Sequence, residues 1–249
     1  MGKLEVFPLK GMPEVEEGAD LPLLVVSALR KSMIQLEDGD IVVLKQKLVS
    51  KAEGKVVRLD SVLPSRMAQE LAREEGKDPR LMELVLREAV RVVRRGHGVV
   101  ITETKHGFVC ANSGVDQSNV GTGFASLLPT DSDRSARKVR RALEAKTKKR
   151  LAVIVTDTFG RPWRRGQTDV AIGCSGINPL LSFRGRKDRF GYSLRVTEPS
   201  VVDEVAGAAE LVMGKLEGVP AAVVRGVKYT RGESGVRSLL MSKERDLFR

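Results

Sequence analysis

The 249-residue sequence holds only two cysteines, Cys110 and Cys174, too few for a disulfide framework or a cysteine-built zinc site. Each sits beside apolar neighbours and reads as core. Aromatic residues make up 4% of the chain, which leaves little for nucleic-acid bases to stack on. No apolar run approaches the ~20 residues that a membrane span requires. The longest, residues 21–29, is interrupted by Pro22 and Ser27. The start, Met1-Gly2-Lys3 and then Glu5, lacks the basic-then-apolar layout of a signal peptide. The familiar phosphate and catalytic signatures are missing too. Gly214-Lys215 is followed by Leu216 where a P-loop needs Ser or Thr for magnesium, and Gly121-Thr122-Gly123 opens like a dinucleotide fingerprint but lacks its third glycine. Neither H-E-x-x-H nor G-x-S-x-G occurs. His97 and His106 stand alone in loops, so a Ser or Cys nucleophile has no evident base. These absences point to a reduced, cytoplasmic α/β protein without a membrane part.

What the sequence does have is concentrated charge. Lys and Arg number 43 against 32 Asp and Glu, a net charge of +11. Residues 134–195 alone carry 17 basic and 4 acidic residues, so the remainder of the chain is slightly acidic. A focus of this kind attracts an anion such as a nucleotide, a phosphorylated substrate or a nucleic acid. Residues 134–150 read most simply as a basic amphipathic helix with a solvated face. Arg161, Arg164 and Arg165 are different. They sit among Gly160, Pro162, Trp163 and Gly166, where a loop would aim them at a ligand.

Along the chain, helix and strand signals alternate, which defines an α/β class with mixed α+β elements. Strands are expected at 4–8, 41–50, 99–104, 108–111, 151–155 and 220–224, where β-branched and apolar residues cluster. Helices are expected from Leu21 behind Asp20, over 65–75 with Gly76 as the stop, and from Asp78-Pro79 to a stop at Gly96. Further helices are expected from Asp131, over 200–213 behind a Ser200/Asp203 capping pattern, and over 238–248. No repeat or low-complexity linker divides the chain. Residues 1–249 therefore read as a single catalytic unit with its internal two-domain boundary open.

Two polar segments follow strands and expose carboxylates among hydroxyl and amide groups. One is Ala111-Asn-Ser-Gly-Val-Asp116-Gln-Ser-Asn119. The other runs from Thr156-Asp157-Thr158 to Gly166-Gln-Thr-Asp169. Oxygen-rich clusters suit a hard divalent cation shared with phosphate oxygens. In α/β sheets ligands collect beyond the carboxyl ends of strands, where Asp157 falls after Leu-Ala-Val-Ile-Val. Asp157 could equally serve a turn, and Asp116 an Asx-turn. Lys45-Gln46-Lys47, with Ser50-Lys51, forms a third polar strand end whose cations would neutralise phosphates. Chemistry alone thus indicates a metal- and nucleotide-dependent phosphoryl-transfer enzyme. A metal-dependent phosphatase stays open, although the second Asp such enzymes want is Phe159 here. A basic nucleic-acid-binding protein stays open on charge alone.

The ordered blocks Gly11-Met12-Pro13-Glu14, Gln46-Lys47-Leu-Val-Ser-Lys51-Ala-Glu-Gly54, Ala111 to Asn119, Thr156-Asp-Thr-Phe-Gly-Arg-Pro-Trp-Arg164 with Gly166 to Gly173, and Glu210-Leu-Val-Met-Gly-Lys215 with Gly218-Val-Pro220 cover most of the chain. In them the sequence resembles the F420 gamma-glutamyl ligase family, coenzyme F420-0:L-glutamate ligases. The resemblance implies a two-domain α/β fold forming an intertwined homodimer. It also implies a GTP-dependent ligase that adds L-glutamate to a deazaflavin coenzyme precursor through an acyl phosphate, releasing GDP and phosphate. The implied cofactors are Mn2+ or Mg2+, two ions being expected, with K+ as a further cation and GTP as co-substrate. Carried over by position, Asp116, Asp157, Thr158 and Glu210 would be metal ligands. Gly11, Met12, Pro13, Glu14, Gln46, Lys47, Lys51, Asn119, Gly214 and Lys215 would contact the nucleotide. Asp116, Asp157 and Arg161 are the catalytic nominees, Arg161 for the phosphate or the anionic tail. GTP, L-glutamate and the coenzyme precursor are then the partners, with no membrane and no nucleic acid.

Overall fold

The computed structural model of the chain describes residues 2–247. Its main element is a five-stranded mixed sheet. The strands are β1 (Glu5–Pro8), β2 (Ile41–Lys45), β8 (Ala152–Arg161), β9 (Arg164–Ser175) and β10 (Ala221–Arg225), in the spatial order β1-β10-β2-β8-β9. Only β2 and β8 run parallel, from Ile41 beside Ala152 to Lys45 beside Thr156. Val42, Val43, Val153, Ile154, Val223 and Val224 are wholly buried, so both sheet faces must be covered. Helix α5 (Ser132–Thr147) lies over β8 and β9 and against α1 (Leu21–Lys31), while α6 (Val201–Met213) packs on β9, β10 and β1. None of the described helices is long and apolar enough to cross a membrane.

A second hydrophobic core forms between β2 and α5 in sequence. It gathers α3 (Arg66–Glu75), α4 (Pro79–Glu88), the strand pair β3 (Val56–Arg58) and β7 (Phe124–Ser126), and the sheet β4 (Ala89–Gly96), β5 (Val99–Thr104) and β6 (Val109–Ala111). Leu71, Met82, Val85, Val100 and Ala125 are at its centre. Helix α2 (Gln46–Ala52) leads from β2 toward it and touches β7 and β8.

Local signals account for most boundaries. Asp20 accepts from Leu23 N at 2.9 Å and starts α1, with Pro22 harmless in the first turn. Ser65 and Asp78 cap α3 and α4 in the same way, and Gly76 ends α3 in the left-handed conformation. At α6 the expected cap takes another form. The Ser200 hydroxyl donates to Asp203 Oδ2 at 2.8 Å, and Asp203 Oδ1 accepts from Ala171 N at 2.9 Å, tying the helix start to β9. Buried Asp40 holds Arg225 through two 2.8 Å bonds, and this pair closes β2 to β10.

Several expectations are corrected. The strand at 41–50 ends at Lys45, because Gln46 to Ala52 turn helical. Gln46 Nε2 donates to Ser50 Oγ at 2.6 Å and to Leu127 O at 2.9 Å, and the second partner is too distant in sequence for any local pattern to reveal. The helix from Pro79 stops at Glu88. Its spacing through Ala89, Val92 and Val93 also suits a strand, and pairing of Ala89–Gly96 with β5 prevails over propensity. The strand at 151–155 does not end at Thr156 but continues to Arg161 and folds back as β9. The short pair β3 and β7 forms where the sequence carries no strand signal. Over 238–247 there is one short 3-10 turn at Val236–Leu239 and no helix, and Phe248 lies outside the described residues.

Candidate active site

A cleft of ≈ 1050 Å³ opens where β2 ends and its parallel pairing with β8 stops, at Lys45 and Thr156. Its wall takes residues from every polar segment singled out in the sequence: Met12-Pro13-Glu14, Gln46, Lys47, Lys51, Asp116, Asn119, Asp157, Thr158 and Gly214-Lys215. Gly11 lies just outside, its carbonyl accepting from Lys31 Nζ at 2.8 Å. Glu210 reaches the rim from α6 and pairs with Lys45 and Lys215, each at 3.1 Å. Arg161 is not brought into the cleft wall. It sits at the exposed turn between β8 and β9, where its guanidinium donates to Arg165 O at 3.1 Å.

The acid groups are positioned by backbone. Asp116 exchanges two backbone hydrogen bonds with Ser126, at 2.8 and 3.1 Å, which anchors a loop of otherwise irregular chain. Its carboxylate accepts from Ser118 N at 2.9 Å and from Lys47 Nζ at 2.5 Å. Burial alone would raise Asp116, but the Lys47 ammonium and the Ser118 N–H outweigh it and hold the carboxyl below its usual range. Asp157 behaves oppositely. Burial pushes it up to about 6, opposed by the Thr158 N–H and the Lys47 charge and reinforced by Asp169 and Asp116.

Asp169 and Lys45 lie in polar segments that the sequence singles out, but sequence reasoning nominates neither as an individual site residue. In the β8–β9 register Asp169 stands opposite Thr158. Its buried carboxylate accepts from Thr158 Oγ1 at 2.6 Å and Thr156 Oγ1 at 3.3 Å. Lys215 lies 3.5 Å from Asp169 and donates to the Thr158 hydroxyl. A register shift after Val155 re-aims this end of the hairpin, as bulges beside active sites do. The signal that could find Asp169 is strand alternation on both sides of Pro162-Trp163, which makes the segment a hairpin and puts its two arms face to face. Lys45 pairs with Glu210, and its ammonium also donates to Gly214 O. Lys51 forms an ion pair with Glu14.

The set Asp116, Asp157, Thr158 and Asp169 consists of hard oxygen donors and fits Mg2+ or Mn2+ by donor type. Among the described residues no three acidic, His or Cys side chains are gathered tightly enough to enclose an ion by themselves. Oxygens from a ligand would have to complete the shell, the usual arrangement for magnesium on a nucleotide. The remaining groups are structural. Cys110 and Cys174 are buried, and burial pushes each thiol up to about 12, as core positions require. His106 stacks on Phe108 and bonds Pro129 O at 2.9 Å.

Fold and site together define a mixed α/β protein with one oxygen- and ammonium-lined cleft at its parallel strand ends. The family model of F420-0:gamma-glutamyl ligase matches residues 11–226, and the chain belongs to that family. It is 45% identical over 249 residues to the coenzyme F420:L-glutamate ligase of Methanothermobacter thermautotrophicus, covering 99% of both chains. It is 44% identical over 248 residues to the enzyme of that name from Methanocaldococcus jannaschii, covering 99% of this chain and 97% of the relative. The Methanopyrus kandleri protein of the same name is 43% identical over 257 residues, with both chains fully covered.

Proposed function

We propose that this chain joins L-glutamate to the coenzyme precursor F420-0, consuming GTP, and then adds further glutamate through γ-linkages. The observation that carries the reading is the convergence of Lys45, Lys47, Lys51 and Lys215 with Asp116, Asp157 and Asp169 on one cleft, in a chain of this family. A carboxylate resists direct attack by an amine because oxide is a poor leaving group. Its oxygen therefore first attacks the γ-phosphorus of GTP, the bond to the β-phosphate oxygen breaks, and GDP departs. The glutamate amine, having given its extra proton to water, then attacks the acyl carbon. A C–N bond forms, the C–O bond to phosphate breaks, and inorganic phosphate leaves as the nitrogen gives up its second proton to the departing phosphate.

Each residue class has a task in that sequence. Lys47, Lys51 and Lys215 face the phosphates, where charge-assisted bonds made away from water exceed surface ion pairs in strength. Asp116, Asp157 and Thr158 would hold the divalent cation, which offsets charge on the transferring phosphoryl group. Asp169 accepts the Thr158 hydroxyl hydrogen and so turns that oxygen's lone pairs away from itself, one toward the Lys215 ammonium and the other free for a cation.

The test is incubation with GTP, Mn2+, L-glutamate and F420-0, followed by mass spectrometry. A mass increase of one glutamyl residue, with GDP formed in equal amount, is expected. GDP formed with no glutamate consumed would make the protein a phosphatase instead. A second expectation concerns salt. A roughly tenfold rise in ionic strength should raise the KM values for GTP and F420-0 several-fold more than that for glutamate, because both carry phosphate charge that the lysines neutralise. Equal effects on all three would exclude the lysines from phosphate binding.

A further inference from the structure

Two of the groups nominated to hold a divalent cation, Asp116 and Thr158, already carry ammonium partners. Both oxygens of Asp116 are engaged. Oδ1 accepts from Ser118 N at 2.9 Å, and Oδ2 accepts from Lys47 Nζ at 2.5 Å and from Ser118 Oγ at 2.8 Å. Lys47 Nζ also donates to Ser118 Oγ at 2.6 Å, so Ser118 ties the pair together. The Lys47 charge acts on Asp157 as well. On the β8–β9 hairpin, Thr158 Oγ1 gives its hydrogen to Asp169 Oδ1 at 2.6 Å and accepts from Lys215 Nζ. That ammonium lies 3.5 Å from the same Asp169 oxygen and 3.1 Å from Glu210 Oε1. An ammonium is a compact unit cation, and both of these sit on oxygens suited to a hard metal ion. A divalent ion taking Asp116 Oδ2 or the remaining lone pair of Thr158 would stand within a few ångströms of a like charge. The Lys47 side chain is largely buried, so water screens that repulsion poorly.

We infer that Lys47 and Lys215 are exchangeable stand-ins for the divalent cation: each ammonium neutralises a ligand group of the ion and gives it up when the phosphates of a nucleotide draw the ammonium away, so that metal and nucleotide enter the cleft as a coupled pair. The inference rests on the reading of this cleft as the metal- and nucleotide-binding site of a ligase. An exchange needs a second place for each lysine, and the phosphates that Lys47 and Lys215 face in the ligation scheme provide it. The same triphosphate brings oxygens to complete the ion's shell, which no three acidic, His or Cys side chains among the described residues are gathered to do. Glu210 keeps a hold on Lys215 once Thr158 is released, so the ammonium stays at the rim. The coupling is reciprocal: whatever the nucleotide adds to the affinity for the ion, the ion adds to the affinity for the nucleotide. Lys51 supplies the contrast. It lines the same cleft but pairs with Glu14, which is not among the metal nominees.

The test compares the full-length wild type with Lys47→Met, Lys215→Met and Lys51→Met. Mn2+ is titrated in without nucleotide, and the unbound ion is counted by its electron paramagnetic resonance signal. Lys47→Met and Lys215→Met should each bind Mn2+ about tenfold more tightly than wild type, the scale of one charge-assisted hydrogen bond that no longer competes. Lys51→Met should stay within about twofold of wild type. Affinity for GTP, measured by calorimetry at saturating Mn2+ without glutamate or F420-0, should fall about tenfold in Lys47→Met and Lys215→Met. Opposite signs from one substitution are the signature. Weaker binding of both Mn2+ and GTP would mean structural damage and would overturn the inference. So would unchanged Mn2+ affinity in Lys47→Met and Lys215→Met, or equal tightening in Lys51→Met, which would assign the effect to the overall charge of the cleft. Mn2+ bound by none of the four proteins would defeat the metal reading of the cleft itself.

Discussion

Replacing Asp157 with Asn is expected to cut glutamate addition severely and, at the same time, to make the ligand-free protein more stable. The two effects share one cause. Burial, with Asp169 and Asp116 nearby, pushes this carboxyl up to about 6, so at alkaline pH the folded protein holds a charge in a place that disfavours it. A folded-state value above the ordinary 3.8 means that stability falls as pH rises from about 4 through about 6. The full penalty, about 3 kcal/mol at most, applies above that window. Asn has the same shape and no charge. In the presence of a chelator the variant should therefore melt several degrees higher than wild type above that window. The difference should vanish below about pH 4, where Asp157 is neutral in both states. Ligation should drop by roughly 10²–10³-fold, the scale for removing one electrostatic contact to a transition state. Full activity in the variant would remove Asp157 from the chemistry. A variant that is inactive but no more stable would show that the charge is not disfavoured in the fold.

Asp157 is legible in the sequence because of what precedes it. Five apolar residues, 151–155, suit an interior strand, and the first polar residues after such a strand emerge where ligands gather. Asp116 is legible for another reason, a carboxylate in a loop rich in Gly, Ser and Asn. Asp169 is not, since its role comes from the cross-strand partner Thr158 and from a hairpin whose Gly, Pro and Trp residues resemble a loop. Lys45 shows only as part of a polar strand end. Its partner Glu210 lies on a helix far along the chain, and that contact depends on how α6 lies on the sheet. The boundaries that fail have the same origin. Residues 89–96 satisfy helical and strand spacing alike, and the choice is made by β5. The capped helices succeed because each boundary is enforced by a local bond within one turn, as at Asp20 and Asp78.

Replacing Gly173 with Ala should cost about 3 kcal/mol or more of stability, a larger loss than an exposed substitution gives. Gly173 has an ordinary backbone conformation, so nothing about its dihedral angles demands glycine. Space does. A Cβ there would come 2.4 Å from the Ser132 carbonyl carbon and 2.5 Å from its oxygen, far inside contact distance and against main chain. Neither side can yield. Ser132 is the first residue of α5, whose start is fixed by Asp131 accepting from Arg134 N at 2.9 Å. The next residue, Asp133, accepts from Cys174 N at 2.7 Å and Val236 N at 3.2 Å, which stitches the helix start to β9 and to the C-terminal segment. To admit a methyl group, α5 must lift from the sheet and break those bonds, or β9 must move and carry Asp169 away from Thr158. Denaturant unfolding of Gly173→Ala measures the cost. Gly160→Ala is the control: its added Cβ meets nothing within 4 Å and it also has no positive φ, so a change within about 0.5 kcal/mol is expected. Equal stabilities for the two variants would mean that α5 and β9 do not pack this closely. In that case the support beneath Asp169, and with it the acidic side of the cleft, would have to be redrawn.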